Sequence, residues 1–166
     1  MNIFEEPDDE LVGDLPISGF LSDRLLMPSE SLCELSGETS LADPSQYPSG
    51  LVKRVAKAWV VPLAEITCAQ IRVLVGQKFG LEWLARPVAL FVAGHPRAEC
   101  DLYPGDLTRA TLAAAEEMLQ HAPIETRAML ATDFGWMADT FAFDTDKSLL
   151  EESKALLAEA RRLAAL

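Results

Sequence analysis

A chain of 166 residues with 49 % hydrophobic and 24 % charged side chains has the composition of one folded, soluble domain, long enough to bury roughly two-thirds of its extended surface. A net charge of −12 repels phosphate backbones and anionic membranes, and no lysine or arginine cluster offsets it, so nucleic acid is not an expected partner. Three cysteines, Cys33, Cys68 and Cys100, are odd in number and widely spaced, which reads as reduced thiols in a cytoplasmic protein.

Residues 1–48 hold eleven acids and a single base, Arg24. Pro7, Pro16, Pro28, Pro44 and Pro48 stand among serines, glycines and acids, a composition that gives loops with brief helical turns. The expectation is an irregular, partly ordered acidic arm over 1–48, its first dozen residues mobile, followed by a helical domain over 49–166. Ile3, Phe4, Phe20, Leu21, Leu25 and Leu26 are its candidate anchors. Acids stand at the N-terminus where a secretory signal carries bases, so no export signal is expected.

From Ser49 the periodicity becomes helical. In "SGLVKRVAKAWV", Val52, Val55, Ala56, Trp59 and Val60 share one face opposite Lys53, Arg54 and Lys57, with Ser49 as the cap. "PLAEITCAQIRVLVGQKF" predicts a second, central helix with Pro62 in its first turn and Gly80 after its end. Leu81 to Ala93 predicts a third, with Leu84, Val88, Phe91 and Val92 inward and Trp83 at the edge. Pro87 either kinks that helix or begins it, since an interior proline costs about 3 kcal/mol. The least polar run, "PVALFVAG", is too short to span a bilayer.

Residues 94–105 form a turn-rich link. A fourth helix runs from Asp106 through "LTRATLAAAEEMLQHA". A fifth follows Pro123 through "IETRAMLATDFGWMADTFAF", with Leu130, Phe134, Met137 and Phe141 on one face and Gly135 as a weak point. The sixth is capped by Asp144 or Thr145, with Leu149, Leu156, Ala160 and Leu163 in a stripe that Leu150, Leu157 and Ala164 widen, and with Arg161 and Arg162 near its C-terminus. The expected fold is therefore all-α, a compact array of about six helices behind the acidic arm.

Residue types that carry chemistry are sparse. His95, Glu99, Cys100 and Asp101 could ligate zinc or pair a thiol with a histidine, but their spacing matches no zinc pattern and no orienting third group follows. His95 reads instead as the cap of the preceding helix. Asp133 and Asp139 fall on different helix faces, and Glu116 and Glu117 read as solvated charge. No phosphate loop, H-E-x-x-H or G-x-S-x-G is present. No metal, cofactor or catalytic residue is expected. Two protein-binding leads remain: Leu11, Leu15 and Phe20 interleaved with acids in the arm, and Trp136 with Met129 on the side of the fifth helix away from its main stripe.

Across "VKRVAKAWVVPLAEITCAQI", "GLEWLARPVALFVAG" and "PGDLTRATLAAAEEML", the chain resembles small helical bacterial proteins of unknown function encoded beside type VI secretion genes. The resemblance spans residues 52 to about 120, rests on apolar helix texture and the Trp83 to Ala85 turn, and has no counterpart to the acidic arm. It implies an accessory protein that helps a toxic effector or its carrier reach the secretion machine, and it transfers no catalytic residue. The leading expectation is a non-enzymatic, cytoplasmic adaptor or co-chaperone whose partner is another protein. The alternatives are an immunity protein whose acidic surface blocks a basic toxin site, and a small hydrolytic enzyme using His95 and nearby carboxylates.

Overall fold

In the computed structural model, residues 11–23, 26–38, 49–142 and 147–166 are described. Ile3, Phe4 and Leu25, and the expected caps Asp144 and Thr145, lie outside them. Nine α-helices occur among the described residues, α1 (Leu32–Ser36), α2 (Gly50–Trp59), α3 (Cys68–Gly76), α4 (Leu81–Gly94), α5 (Asp106–Ala113), α6 (Ala115–His121), α7 (Pro123–Leu130), α8 (Met137–Thr140) and α9 (Ser148–Leu163), together with a 3-10 turn at Ile17–Phe20. The all-α class holds, with isolated bridges but no strand among the described residues. The count exceeds the expected six because α1 forms within the segment expected to be irregular and because local hydrogen bonds break two long periodic stretches.

The first break separates α5 from α6 at Ala114. The Thr111 hydroxyl donates to the Leu107 carbonyl at 2.8 Å, a back-bond that competes with the helix ladder and bends it. The second lies between α7 and α8. There the Thr132 hydroxyl donates to the Met129 carbonyl and the Gly135 amide donates to Asp133 Oδ1, both at 2.7 Å. The Arg161 guanidinium, reaching over from α9, donates to the Leu130 and Thr132 carbonyls at 3.0 Å each. Leu130, Phe134, Met137 and Phe141 are nonetheless all buried, so the apolar pattern was selected for the core and not for helix continuity.

The centre is α4, which packs against α3, α5, α6 and α7, and not the helix expected from Pro62. It continues through Pro87, with Leu84, Val88, Phe91 and Val92 inside. Burial on several sides offsets the bond that Pro87 cannot make to the Trp83 carbonyl. Gly80 precedes it at φ 73°, and a Cβ there would stand 2.7 Å from a Leu32 methyl; both the backbone conformation and the close approach of α1 demand glycine. On the opposite side α9 covers α5, α6, α7 and α8. Its buried stripe is Ser153, Leu157, Ala160 and Ala164, while Leu163 is exposed.

Residues 11–23 and 26–38, the described part of the chain before α2, are held on this body, and no free-standing acidic arm is seen among the described residues. Residues 11–23 and 26–31 form a strap whose Val12, Ile17, Leu21 and Met27 enter the common core. Ile17 N–H donates to the Ile66 carbonyl at 3.1 Å, and the amides of Leu63 and Ala64 donate to the carbonyls of Glu30 and Pro28 at 3.0 and 2.9 Å. Those bonds hold residues 62–66 in a turn, so α3 starts only at Cys68, behind a Thr67/Gln70 capping box. The first amides of α3 have no partner within the helix. Cys68 and Ala69 donate instead to the strap carbonyls of Leu15 and Gly13, at 3.0 and 3.1 Å.

Candidate functional site

Where the strap crosses the start of α3 and the loop before α5, it borders an open cleft of about 350 Å³ lined by Leu11, Gly13, Asp14, Leu15, Ala69, Cys100 and Asp101. Leu11 and Leu15 are 69 % and 46 % exposed, and Leu102, next in the chain to Asp101, is 63 % exposed. Apolar side chains held in water beside carboxylates are what a protein partner covers. Asp14 is exposed at the rim. The described residues of 11–38 carry five acids, Asp14, Asp23, Glu30, Glu34 and Glu38, and no base.

The loop opposite the strap is held by one buried carboxylate. Asp106, with no exposed surface, accepts the Cys100 amide on Oδ1 at 3.0 Å and the amides of Asp101 and Leu102 on Oδ2 at 2.9 and 2.7 Å. Arg72 of α3 places Nε 3.9 Å from the same carboxylate. Thr108, two residues further along α5, donates to the Pro96 carbonyl at 2.6 Å. Asp101 and Leu102 therefore stand in a fixed conformation before any partner arrives, which lowers the cost of binding through them.

Strap and loop meet without clearance. A Cβ on Gly13 would lie 2.6 Å from the Cys100 carbonyl oxygen, a backbone atom that Asp106 keeps in place. Gly13→Ala is expected to cost about 1–3 kcal/mol and to lift the strap from the loop. Hydrogen exchange should report this as faster exchange of the Val12 amide, which donates to the Glu99 carbonyl at 3.0 Å; an unchanged rate would mean that the strap is not seated this tightly.

Among the described residues that line the cleft, the one thiol is not a reactive nucleophile. Cys100 is buried at its floor. A hydrogen bond with the Cys68 side chain, then burial, then the charges of Cys68 and Asp106 push its thiol far above the ordinary range, so it stays protonated and inert. His95 stacks in an aromatic group, its ring 5.2 Å from Phe20 and 5.3 Å from Phe91; its amide caps α4 by donating to the Phe91 carbonyl at 2.7 Å. Among the described residues, no three His, Cys, Asp or Glu side chains are grouped to hold a metal ion, and no helix is long and apolar enough to cross a membrane.

The five residues singled out for partner binding are scattered. Leu11 and Leu15 line the cleft. Phe20 is half-buried and packs its edge on Phe91, ring centroids 5.3 Å apart. Met129 is fully buried and has no surface to offer, because α7 is covered by α4, α6 and α9. Trp136 is half-buried between Phe134 and Phe141, at 6.1 and 5.7 Å. Asp133 is spent on the Gly135 turn, Asp139 and Glu116 are exposed, and Glu117 pairs with Lys78 at 3.3 Å. Asp106 and Leu102 went unnoticed in the sequence. The signal for Asp106 is its place in "DLYPGD", a short acceptor directly after a Pro-Gly turn whose amides need a partner.

No curated protein and no solved structure matches the chain. A family model does: that of the CDI immunity proteins aligns with residues 36–129, more than half of the sequence. The aligned part runs from the last residue of α1 nearly to the end of α7. It contains the wall of the cleft opposite the strap, with Ala69, Cys100 and Asp101, together with the neighbouring Leu102 and Asp106, and it leaves out the strap wall. With that match, the chain belongs to the family of CDI immunity proteins.

Proposed function

We propose that this chain is a non-enzymatic immunity protein that binds a toxin through the cleft between strap and loop, acting in the cytoplasm of the cell that makes it. The observation that carries the proposal is the family match over residues 36–129. It favours immunity over the adaptor role, and nothing in it supports a tie to type VI secretion. The cleft adds the chemistry. Leu11 and Leu15 in the cleft and Leu102 beside it supply apolar contact, and Asp14 with the other strap acids favours cationic side chains on the toxin's docking face and speeds encounter with it.

Co-purification from the native host followed by mass spectrometry identifies the toxin. An immunity protein binds the toxic domain stoichiometrically and abolishes its activity; an adaptor leaves that activity intact. Leu15→Asp places a carboxylate where apolar contact is expected, so affinity should fall by about 100-fold. The melting temperature should move by less than about 2 °C, since Leu15 already faces water. Unchanged affinity in titration calorimetry would move the interface away from this cleft.

A further inference from the structure

Ala69, at the start of α3, lines two clefts of opposite sign. The first is the acidic and apolar one already described. The second, about 170 Å³ between α2 and α3, is lined by Arg54, Lys57, Ala69, Gln70 and Val73. One ion pair spans the boundary, because Arg54 from the basic cleft reaches Asp101 in the acidic one at 2.8 Å. Arg54 is 47 % exposed and Asp101 17 %. A pair this wet on one side contributes little to folding, so either charge can change partner at low cost. Asp101 needs no rearrangement to do so, since its amide is already fixed by Asp106.

We propose that Arg54 and Asp101 are the specificity-determining pair of the toxin interface. A cationic side chain of the toxin takes the Asp101 carboxylate in the acidic cleft, and a neighbouring carboxylate of the same toxin surface takes the freed Arg54, beside Lys57, in the basic one. The small side chain of Ala69 leaves the crossing open. The partner surface is therefore dipolar, with a cation and an anion side by side. A uniformly basic face meets Arg54 and Lys57 as like charges and is rejected. This proposal rests on the toxin docking at the strap-edged cleft.

The test is titration calorimetry of the full chain against the toxin domain that co-purifies with it, using Arg54→Glu, Asp101→Lys and the double exchange. Each single variant should bind at least about tenfold more weakly. The double exchange restores an internal pair, so its melting temperature should return to that of the wild type while affinity stays at least about tenfold down. Recovery of affinity together with stability would overturn the proposal and leave the pair as an internal brace; single variants that bind normally would also overturn it. Arg54→Ala and Asp101→Asn, which keep the loop's backbone bonds to Asp106, carry the same comparison where an exchanged charge prevents folding. Leu15→Asp separates the two levels. If it weakens binding while the pair variants do not, the cleft stands and the pair falls; if it too is silent, both fall.

Discussion

Asp106→Ala is expected to destabilise the protein by about 3–5 kcal/mol, the range for removing one member of a buried charged cluster. For a chain of this length that corresponds to a fall of about 10 °C in melting temperature. The substitution leaves the amides of Cys100, Asp101 and Leu102 without their acceptor, each buried amide at a cost of about 1–3 kcal/mol. It also takes the counter-charge from Arg72, whose Nε has no hydrogen-bond partner among the described residues. The Leu102 side chain is exposed, so its amide can turn to water, which keeps the total below the full sum. Asp106→Asn should fall between wild type and alanine, because one oxygen still accepts while the new NH2 group opposes an amide donor. Thermal unfolding of the three proteins gives the ranking; an alanine variant as stable as the asparagine one would show that the loop is held by other bonds.

The helices were legible where one apolar face meets one neighbour. α2, with its Ser49 cap, follows the three-and-four spacing of Val55, Ala56 and Trp59. α4 shows its inward face in full despite Pro87. Tertiary bonds decide where reading by period failed. Residues 62–66 carry a helical pattern, yet the carbonyls of Pro28 and Glu30 take the amides of Ala64 and Leu63, and that pairing depends on a segment more than thirty residues earlier. The same holds for the break after α7, where Arg161 of α9 satisfies the freed carbonyls. Period locates an apolar face; it is silent on which distant group will claim a backbone amide.

The cleft was half legible. Leu11 and Leu15 stand out as apolar residues among acids, and that local contrast survives folding because Val12 and Ile17 turn inward and leave their neighbours outside. The other wall could not be read, since Leu102 is exposed only because Asp106 pins the loop. Met129 marks the opposite error. A residue off the main stripe of a helix counts as surface only when the helix has one neighbour, and α7 has three.

Trp136→Ala is expected to lower stability by about 2–4 kcal/mol and to leave toxin affinity within about twofold. The indole is packed edge-on against Phe141 at 5.7 Å and beside Phe134 at 6.1 Å. Gly105 closes the third side. At φ 83°, a Cβ on Gly105 would sit 3.0 Å from the Phe141 ring and 3.1 Å from Trp136, so the aromatic pair presses directly on the turn that leads into Asp106. Removing the indole opens a void beneath that turn. It also deletes a buried N–H that has no acceptor among the described residues, which offsets part of the loss and places the value in the lower part of the range. The contrast with Leu15→Asp is the informative one, since one variant should melt early and bind normally while the other melts normally and binds weakly. A Trp136→Ala protein that keeps its melting temperature and loses tenfold or more in affinity would transfer the docking surface from the strap to α8.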